Sequence, residues 1–223
     1  MIVQEVHCLP DANTDEFEAI VVDGDYLINK IPWTKNAIYL QISELYLVHL
    51  KMKYPNKSIT VVFDSYISGP STKDSAHLRR SGGVQCTKVK ALKGDLTLAI
   101  KKNVFLTNKE NKQAFINLLA SILSEGGISV IHAHGDADVL IAKTGLLKAA
   151  EVRIVVVGND TDLLVLLLYH AREKHQGNCK DIIFKPDKVS NCKNRIWPIL
   201  WLVKKTWRTD MFAFASFASI YGL

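Results

Sequence analysis

Six aspartates lie just beyond four apolar, β-branched stretches of the sequence, either singly or as pairs spaced two residues apart. The stretches are residues 19–22, 59–63, 128–131 and 154–157. The aspartates that follow them are Asp23, Asp64, Asp136, Asp138, Asp160 and Asp162. Carboxylate oxygens are hard ligands of the kind that Mg²⁺ and Mn²⁺ prefer. Carboxylates gathered in one partly buried crevice repel one another unless a cation neutralises them, so we predict a site for one or two Mg²⁺ or Mn²⁺ ions.

The same stretches predict the fold that would bring these aspartates together. Apolar residues recur with helical spacing at 33–54, 108–123, 136–150 and 160–169, and residues 181–184 predict one more strand. This alternation of strands and helices is typical of an α/β fold, a single three-layer domain with a mostly parallel central sheet and helices on both faces. Ligands of such sheets bind beyond the carboxyl ends of the strands, which is where the aspartates are expected.

A purely structural role for these aspartates is the alternative interpretation. Aspartate is a preferred helix N-cap, because its side chain accepts a hydrogen bond from the first turn. In this interpretation Asp136 and Asp160 cap helices, Asp23 ends a strand, and Asp25 belongs to a turn. Capping explains each residue singly, but not why all four strand ends are acidic and two of them carry a D-x-D pair. We therefore favour the metal site.

Positive charge is concentrated in one segment of the chain. Residues 73–102 contain eight lysines and arginines and two aspartates, an excess equal to the net charge of +6 for the whole protein. Lysine and arginine attract phosphates, so a basic segment beside an acidic metal crevice indicates a polyanionic substrate. An ordinary solvated basic face is the alternative.

Composition is typical of an intracellular globular protein. The 223 residues, 48% of them hydrophobic, suit one α/β domain. Four scattered cysteines lack paired spacing, and the acidic, polar start lacks the features of a signal peptide. The apolar tracts are too short, or too interrupted by charge, to span a bilayer. We expect a nuclear or cytoplasmic protein that is not secreted and does not bind membranes.

The order of the acidic motifs resembles that of the PIN-like, flap-endonuclease (5′-nuclease) superfamily. The first-strand aspartate of that superfamily is similar to Asp23 in the sequence VVDG. Its F-D-G motif is similar to Phe63-Asp64-Ser65, with serine in place of glycine. Its E-A-E pair resembles Asp136-Ala137-Asp138, and its D-x-D after the next strand resembles Asp160-Thr161-Asp162. The resemblance implies that these aspartates bind metal.

The resemblance also implies a phosphate-binding pair. In that superfamily a lysine and an arginine about two helical turns apart contact the scissile phosphate from a helix after the second aspartate. Lys73 with Arg79 or Arg80 is similar to this pair. An arginine places two donors on a phosphate, whereas a lysine acts as a point charge. A basic helix facing solvent is the alternative.

The resemblance covers residues 20–168, and the chain departs from the superfamily pattern beyond them. It implies an N-terminal extension, a PIN-like nuclease domain and a C-terminal segment, at 1–17, 18–185 and 186–223. Flap endonucleases continue into a helix-hairpin-helix region with a further metal-binding aspartate near a glycine. No G-x-D follows Phe184, and Asp210 is the only carboxylate residue beyond Asp187. We expect this segment to be divergent or truncated.

The predicted function is metal-dependent phosphodiester hydrolysis of nucleic acid, with DNA favoured over RNA. Two cations about 3.5–4 Å apart can activate a water molecule and stabilise the leaving oxygen. A non-catalytic PIN-like scaffold that binds nucleic acid or a protein partner is the main alternative, because the downstream aspartate is missing. A phosphatase of the haloacid dehalogenase type would also begin with D-x-D at Asp23 and Asp25, but it leaves Asp64 and the third-strand pair unexplained.

Overall fold

The structure, a computed structural model, has one sheet with helices on both faces. It describes residues 16–65, 88, 94–97, 99–134, 136–174, 179–186 and 196–206. In chain order the elements are β1 (Ala19–Asp23), α1 (Gly24–Lys30), α2 (Tyr39–Lys53), β2 (Ser58–Phe63), α3 (Lys102–Thr107), α4 (Lys109–Glu125), β3 (Ser129–His132), α5 (Ala137–Lys148), β4 (Ile154–Val157), α6 (Thr161–Lys174), β5 (Ile182–Lys185), β6 (Trp197–Pro198) and α7 (Ile199–Thr206).

The sheet confirms the predicted α/β class with a mostly parallel sheet. Its strand order is β3-β2-β1-β4-β5-β6. The first five strands run parallel, and only the short β6 pairs antiparallel with β5. The chain leaves β1 toward β2 and β3, then returns to β4 on the other side of β1. The connections after β1 and β4 therefore diverge, and this reversal is where open α/β sheets form a binding crevice.

The central strands β1 and β4 are buried along their whole length because both faces of the sheet are covered there. In β1, Ile20 and Val22 pack into a core shared with α1, α2, α3 and α4. The alternate residues, Ala19 and Val21, pack into a second core shared with α5, α6 and α7. A parallel sheet buried in this way selects a continuous apolar run rather than an alternating one. The strands are consequently rigid supports for the polar residues that follow them.

The predicted strands agree with the observed ones to within a residue or two, whereas the helices differ more. The helix predicted at 33–54 begins at Tyr39, and α3 lies at the end of a segment in which no helix was predicted. The whole of α1 was also missed, since no helix was predicted between Asp23 and residue 33. Among the described helices, none is long and apolar enough to cross a membrane.

Gly24 is required by the close approach of α1 to β2. A Cβ at this position would lie 2.2 Å from Cδ1 of Phe63 and 2.7 Å from the carbonyl oxygen of Val62. The backbone carbonyl cannot move aside without disturbing the sheet. We expect Gly24→Ala to lower the free energy of unfolding by about 3 kcal/mol in a urea titration.

A second substitution tests the cause of that loss. Phe63→Val removes the two ring atoms nearest to the added methyl group, Cδ1 and Cε1, so Gly24→Ala should lower the free energy of unfolding less in a Phe63→Val background than in the wild type. The contact with the Val62 carbonyl oxygen would remain in the double variant. A Gly24→Ala protein as stable as the wild type would show that α1 does not approach β2 this closely.

Candidate metal centre

All six predicted aspartates lie at the carboxyl edge of the sheet. Asp23 is the last residue of β1, and Asp64 directly follows β2. The pair Asp136 and Asp138 lies where α5 begins after β3, and the pair formed by Asp160 and Asp162 lies where α6 begins after β4. Since β1 lies between β2 and β4, Asp23 is the central member of this set.

Asp23 is held in a buried position by the backbone around it. Its Oδ1 accepts a hydrogen bond of 2.9 Å from the N–H of Asp25, which makes it the N-cap of α1. Only 9% of the residue is exposed. On the β4 side, a Cβ added to Gly158 would lie 3.4 Å from Cβ of Asp23 and 3.6 Å from its Oδ2. The absence of a side chain at Gly158 therefore lets the connection after β4 pass close to this carboxylate.

Burial and neighbouring carboxylates raise the pKa of Asp23 from 3.8 to about 7. Desolvation is the largest cause, followed by the negative charge of Asp25. Hydrogen bonds from the N–H groups of Tyr26 and Asp25 oppose the shift, and the charge of Asp138 adds to it. The first and third acidic motifs thus interact electrostatically. A cation at this edge would reverse the shift by favouring the ionised carboxylate.

Asp64 joins the second acidic motif to the third. Its Oδ1 accepts a hydrogen bond of 2.8 Å from the N–H of Ala137, in the first turn of α5. Beside it, the N–H of Ala133 donates to the carbonyl oxygen of Phe63 over 2.8 Å. An anion at a helix N-terminus is favoured by the helix dipole and by the unpaired N–H groups there. The bond to Ala137 holds the start of α5 against the end of β2, and the bond from Ala133 extends the pairing of β2 with β3.

The two D-x-D pairs form caps of the same kind as the one at Asp23. Oδ1 of Asp136 accepts from the N–H of Asp138 over 3.2 Å, and Oδ1 of Asp160 accepts from the N–H of Asp162 over 3.0 Å. The capping interpretation is therefore confirmed for Asp136 and Asp160. Each of these bonds uses one oxygen of a carboxylate that has two, so capping and cation binding by one aspartate are compatible.

The donor set fits a hard divalent cation, although the side chains are not tightly gathered. Among the described residues, no group of three or more histidines, cysteines, aspartates or glutamates comes together closely enough to hold a metal ion. Mg²⁺ usually keeps several of its waters and is bound through one or two protein carboxylates. The all-oxygen chemistry of the edge, together with the charge repulsion at Asp23, matches that mode of binding.

Lys112 belongs to the site and was not predicted. It lies in α4, and its Nζ is 2.7 Å from Oδ2 of Asp25. The lysine side chain is only 9% exposed, compared with 32% for that of Asp25. Lys112 precedes the fully buried Phe115 and Ile116 by three and four residues, so it lies on the apolar face of its helix. The sequence signal that could have identified it is a lysine with the same helical spacing as the apolar residues of that face.

The predicted phosphate-binding residues, Lys73, Arg79 and Arg80, lie outside the described residues. Three other basic residues of this segment are described, Lys88, Lys101 and Lys102, and the side chains of Lys88 and Lys102 make contacts within the protein. Lys88 forms an ion pair of 2.7 Å with Glu110. Lys102 donates a hydrogen bond of 2.7 Å to the carbonyl oxygen of Ile31, and burial lowers its pKa to about 8. Part of this segment therefore stabilises the fold.

The fold and the site define an open α/β sheet with an acidic carboxyl edge. No protein family matches the sequence. No curated protein shows significant similarity to it. Among solved structures, a bacteriophage T5 flap endonuclease in a pseudo-enzyme-product complex with DNA and metal ions is 13% identical, with a TM-score of 0.42 over 84% of this chain and 60% of that one.

A T5 protein co-crystallised with metal ions is 15% identical, with a TM-score of 0.39 over 75% of this chain and 54% of that one. The T5 5′-exonuclease with bound zinc is 16% identical, with a TM-score of 0.38 over 76% of this chain and 55% of that one. The chain thus spans little more than half the length of these phage proteins.

Proposed function

We propose that the protein is a Mg²⁺- or Mn²⁺-dependent nuclease that hydrolyses phosphodiester bonds, with DNA favoured over RNA. The supporting observation is that four separate strands deliver carboxylates to one edge of the sheet, with the buried Asp23 at its centre. Bound cations would supply a nucleophilic water and stabilise the leaving oxygen. The residues that would hold them are Asp23, Asp64, Asp136, Asp138, Asp160 and Asp162.

The protein groups have distinct tasks in this proposal. The rigid ends of β1 and β2 fix the directions of Asp23 and Asp64, whereas the helix N-termini orient the two D-x-D pairs. Lys73 with Arg79 or Arg80 would neutralise and orient the phosphate, which is a task suited to cationic side chains. The order of these motifs along the chain, similar to that of PIN-like nucleases, supports the assignment.

Cleavage assays with the purified full chain test the proposal directly. Labelled single-stranded DNA, duplex DNA, a 5′-flap duplex and RNA would each be incubated with Mn²⁺ and with Mg²⁺. We expect cleavage of at least one DNA substrate, and EDTA should abolish it. A protein that binds these cations and these substrates but cuts none of them would contradict the assignment as a nuclease.

A non-catalytic scaffold is the second candidate, and the loose arrangement of the acidic side chains favours it. Among the described residues, three potential ligands do not converge on one point. Such a protein would bind nucleic acid through the basic segment without cutting it. Binding should weaken steeply with salt, because each phosphate contact releases a counterion.

Charge reversal in the basic segment distinguishes this scaffold from a protein that does not bind nucleic acid. Lys73→Glu and Arg79→Glu should each reduce the slope of log Kd against log salt concentration by about 1. Lys51→Glu, an exposed position on α2, makes the same change of charge and serves as the control. If the slope of log Kd against log salt concentration is the same for all of these proteins, the basic segment has no part in either candidate function.

A further inference from the structure

The ion pair between Lys112 and Asp25 connects α4 to the first turn of α1. Its Nζ–Oδ2 distance is 2.7 Å, and its two residues are 87 positions apart in the sequence. The N–H of Asp25 also donates the capping hydrogen bond to Asp23. The charge of Asp25 is the second cause of the raised pKa of Asp23. Lys112 is therefore linked through Asp25 to Asp23, the central residue of the acidic edge.

The position of Lys112 is unfavourable for α4 itself. The helix begins at Lys109 with Asn108 as its N-cap, so Lys112 lies in the first turn. A cation there opposes the helix dipole, and its burial beside Phe115 costs solvation energy. A buried ion pair is also weak evidence for a stabilising role, since apolar residues of similar volume often serve as well. The stability of α4 therefore does not explain why a lysine lies at position 112, whereas the effect of this lysine on Asp25 does.

We propose that Lys112 is a positioning residue that holds the Asp25 carboxylate against α4 and keeps it out of the metal-binding set. Only Asp23, of the two aspartates around Gly24, then offers its carboxylate to the cation. Lys112 also offsets one negative charge close to Asp23, which limits how tightly a cation binds. This inference rests on the proposed metal-dependent function, and it assigns a role to two residues which that function leaves unused.

Loss of Lys112 should separate metal affinity from catalysis. In Lys112→Met the Asp25 carboxylate loses the positive charge of Lys112 and adds its attraction for a cation, so Mn²⁺ should bind about three- to tenfold tighter. Cleavage should nevertheless slow by about tenfold, because an additional carboxylate draws the cation away from its productive position. A merely structural loss would weaken both metal binding and cleavage.

Isothermal titration calorimetry with Mn²⁺ alone, on the full chain, measures the affinity. Lys112→Arg should keep the wild-type Kd, because arginine retains the charge opposite Asp25. The double variant Lys112→Met/Asp25→Asn should also return the Kd to within about twofold of the wild type, because it removes opposite charges together. If Lys112→Met does not fold, Asp25→Asn gives the reverse test and should bind Mn²⁺ more weakly by a similar factor.

The possible outcomes are distinguishable. A wild-type protein that binds no Mn²⁺ overturns the proposed function and this inference with it. A wild-type protein that binds Mn²⁺ with the same Kd as Lys112→Met overturns the inference alone. Weaker binding in Lys112→Met that the double variant does not restore also overturns it, because the lysine would then only support the fold.

Discussion

Asp160→Asn is expected to reduce metal-dependent cleavage by about a thousandfold while leaving thermal stability nearly unchanged. Asp160 caps α6 by accepting from the N–H of Asp162 over 3.0 Å. Asparagine caps a helix about as well as aspartate, so the substitution removes the charge and keeps the cap. A loss of activity with an unchanged melting temperature would therefore assign the negative charge to the chemistry rather than to the fold.

The control for this prediction is Asp181→Asn, which makes the same change of charge at the opposite end of the sheet. Asp181 immediately precedes β5, and its carbonyl oxygen accepts a hydrogen bond from the N–H of Ile154 at the start of β4. Cleavage by this variant should match the wild type. Asp138→Ala should be as inactive as Asp160→Asn. Wild-type cleavage rates in both Asp138→Ala and Asp160→Asn would show that the acidic edge takes no part in the mechanism.

The free energy of unfolding of the metal-free protein is expected to fall by up to about 4 kcal/mol as pH rises from 4 to 7, through Asp23 alone. The pKa of this carboxyl is raised from 3.8 to about 7 in the folded state. Above pH 4 the unfolded chain releases this proton while the folded protein retains it, so stability decreases with pH. Above pH 7 both states are ionised, and the loss is complete.

Chemical denaturation of wild type and Asp23→Asn, across this pH range and in EDTA, measures the effect. Asparagine keeps the cap on α1 but does not titrate, so the difference in stability between the two proteins should grow from pH 4 to pH 7 in favour of the variant. Mg²⁺ should reduce that difference at pH 8, because a ligand that binds only the folded state stabilises it. A difference that does not change with pH would show that Asp23 has an ordinary pKa.

The missed helix α1 shows where local patterns are insufficient. Asp23, Gly24 and Asp25 are all common in turns, and no helix was predicted to begin there. In the structure the same residues are an N-cap and the first turn of a helix whose Tyr26, Leu27 and Ile28 are buried. Packing of these side chains under β1 and β2 decides in favour of the helix, and a seven-residue helix is too short to form without such packing.

By itself, the sequence determined the strands of the parallel sheet and the positions of six aspartates at their carboxyl ends. Both follow from local patterns, since a continuous apolar run predicts a buried strand and the polar residue after it marks the strand end. Only the tertiary structure decided which of these groups interact. Asp64 bonds to Ala137 across 73 residues, and Lys112 pairs with Asp25 across 87. The first contact depends on how β2 packs against α5, and the second on how α4 packs against α1, so no pattern within a single element predicts either of them.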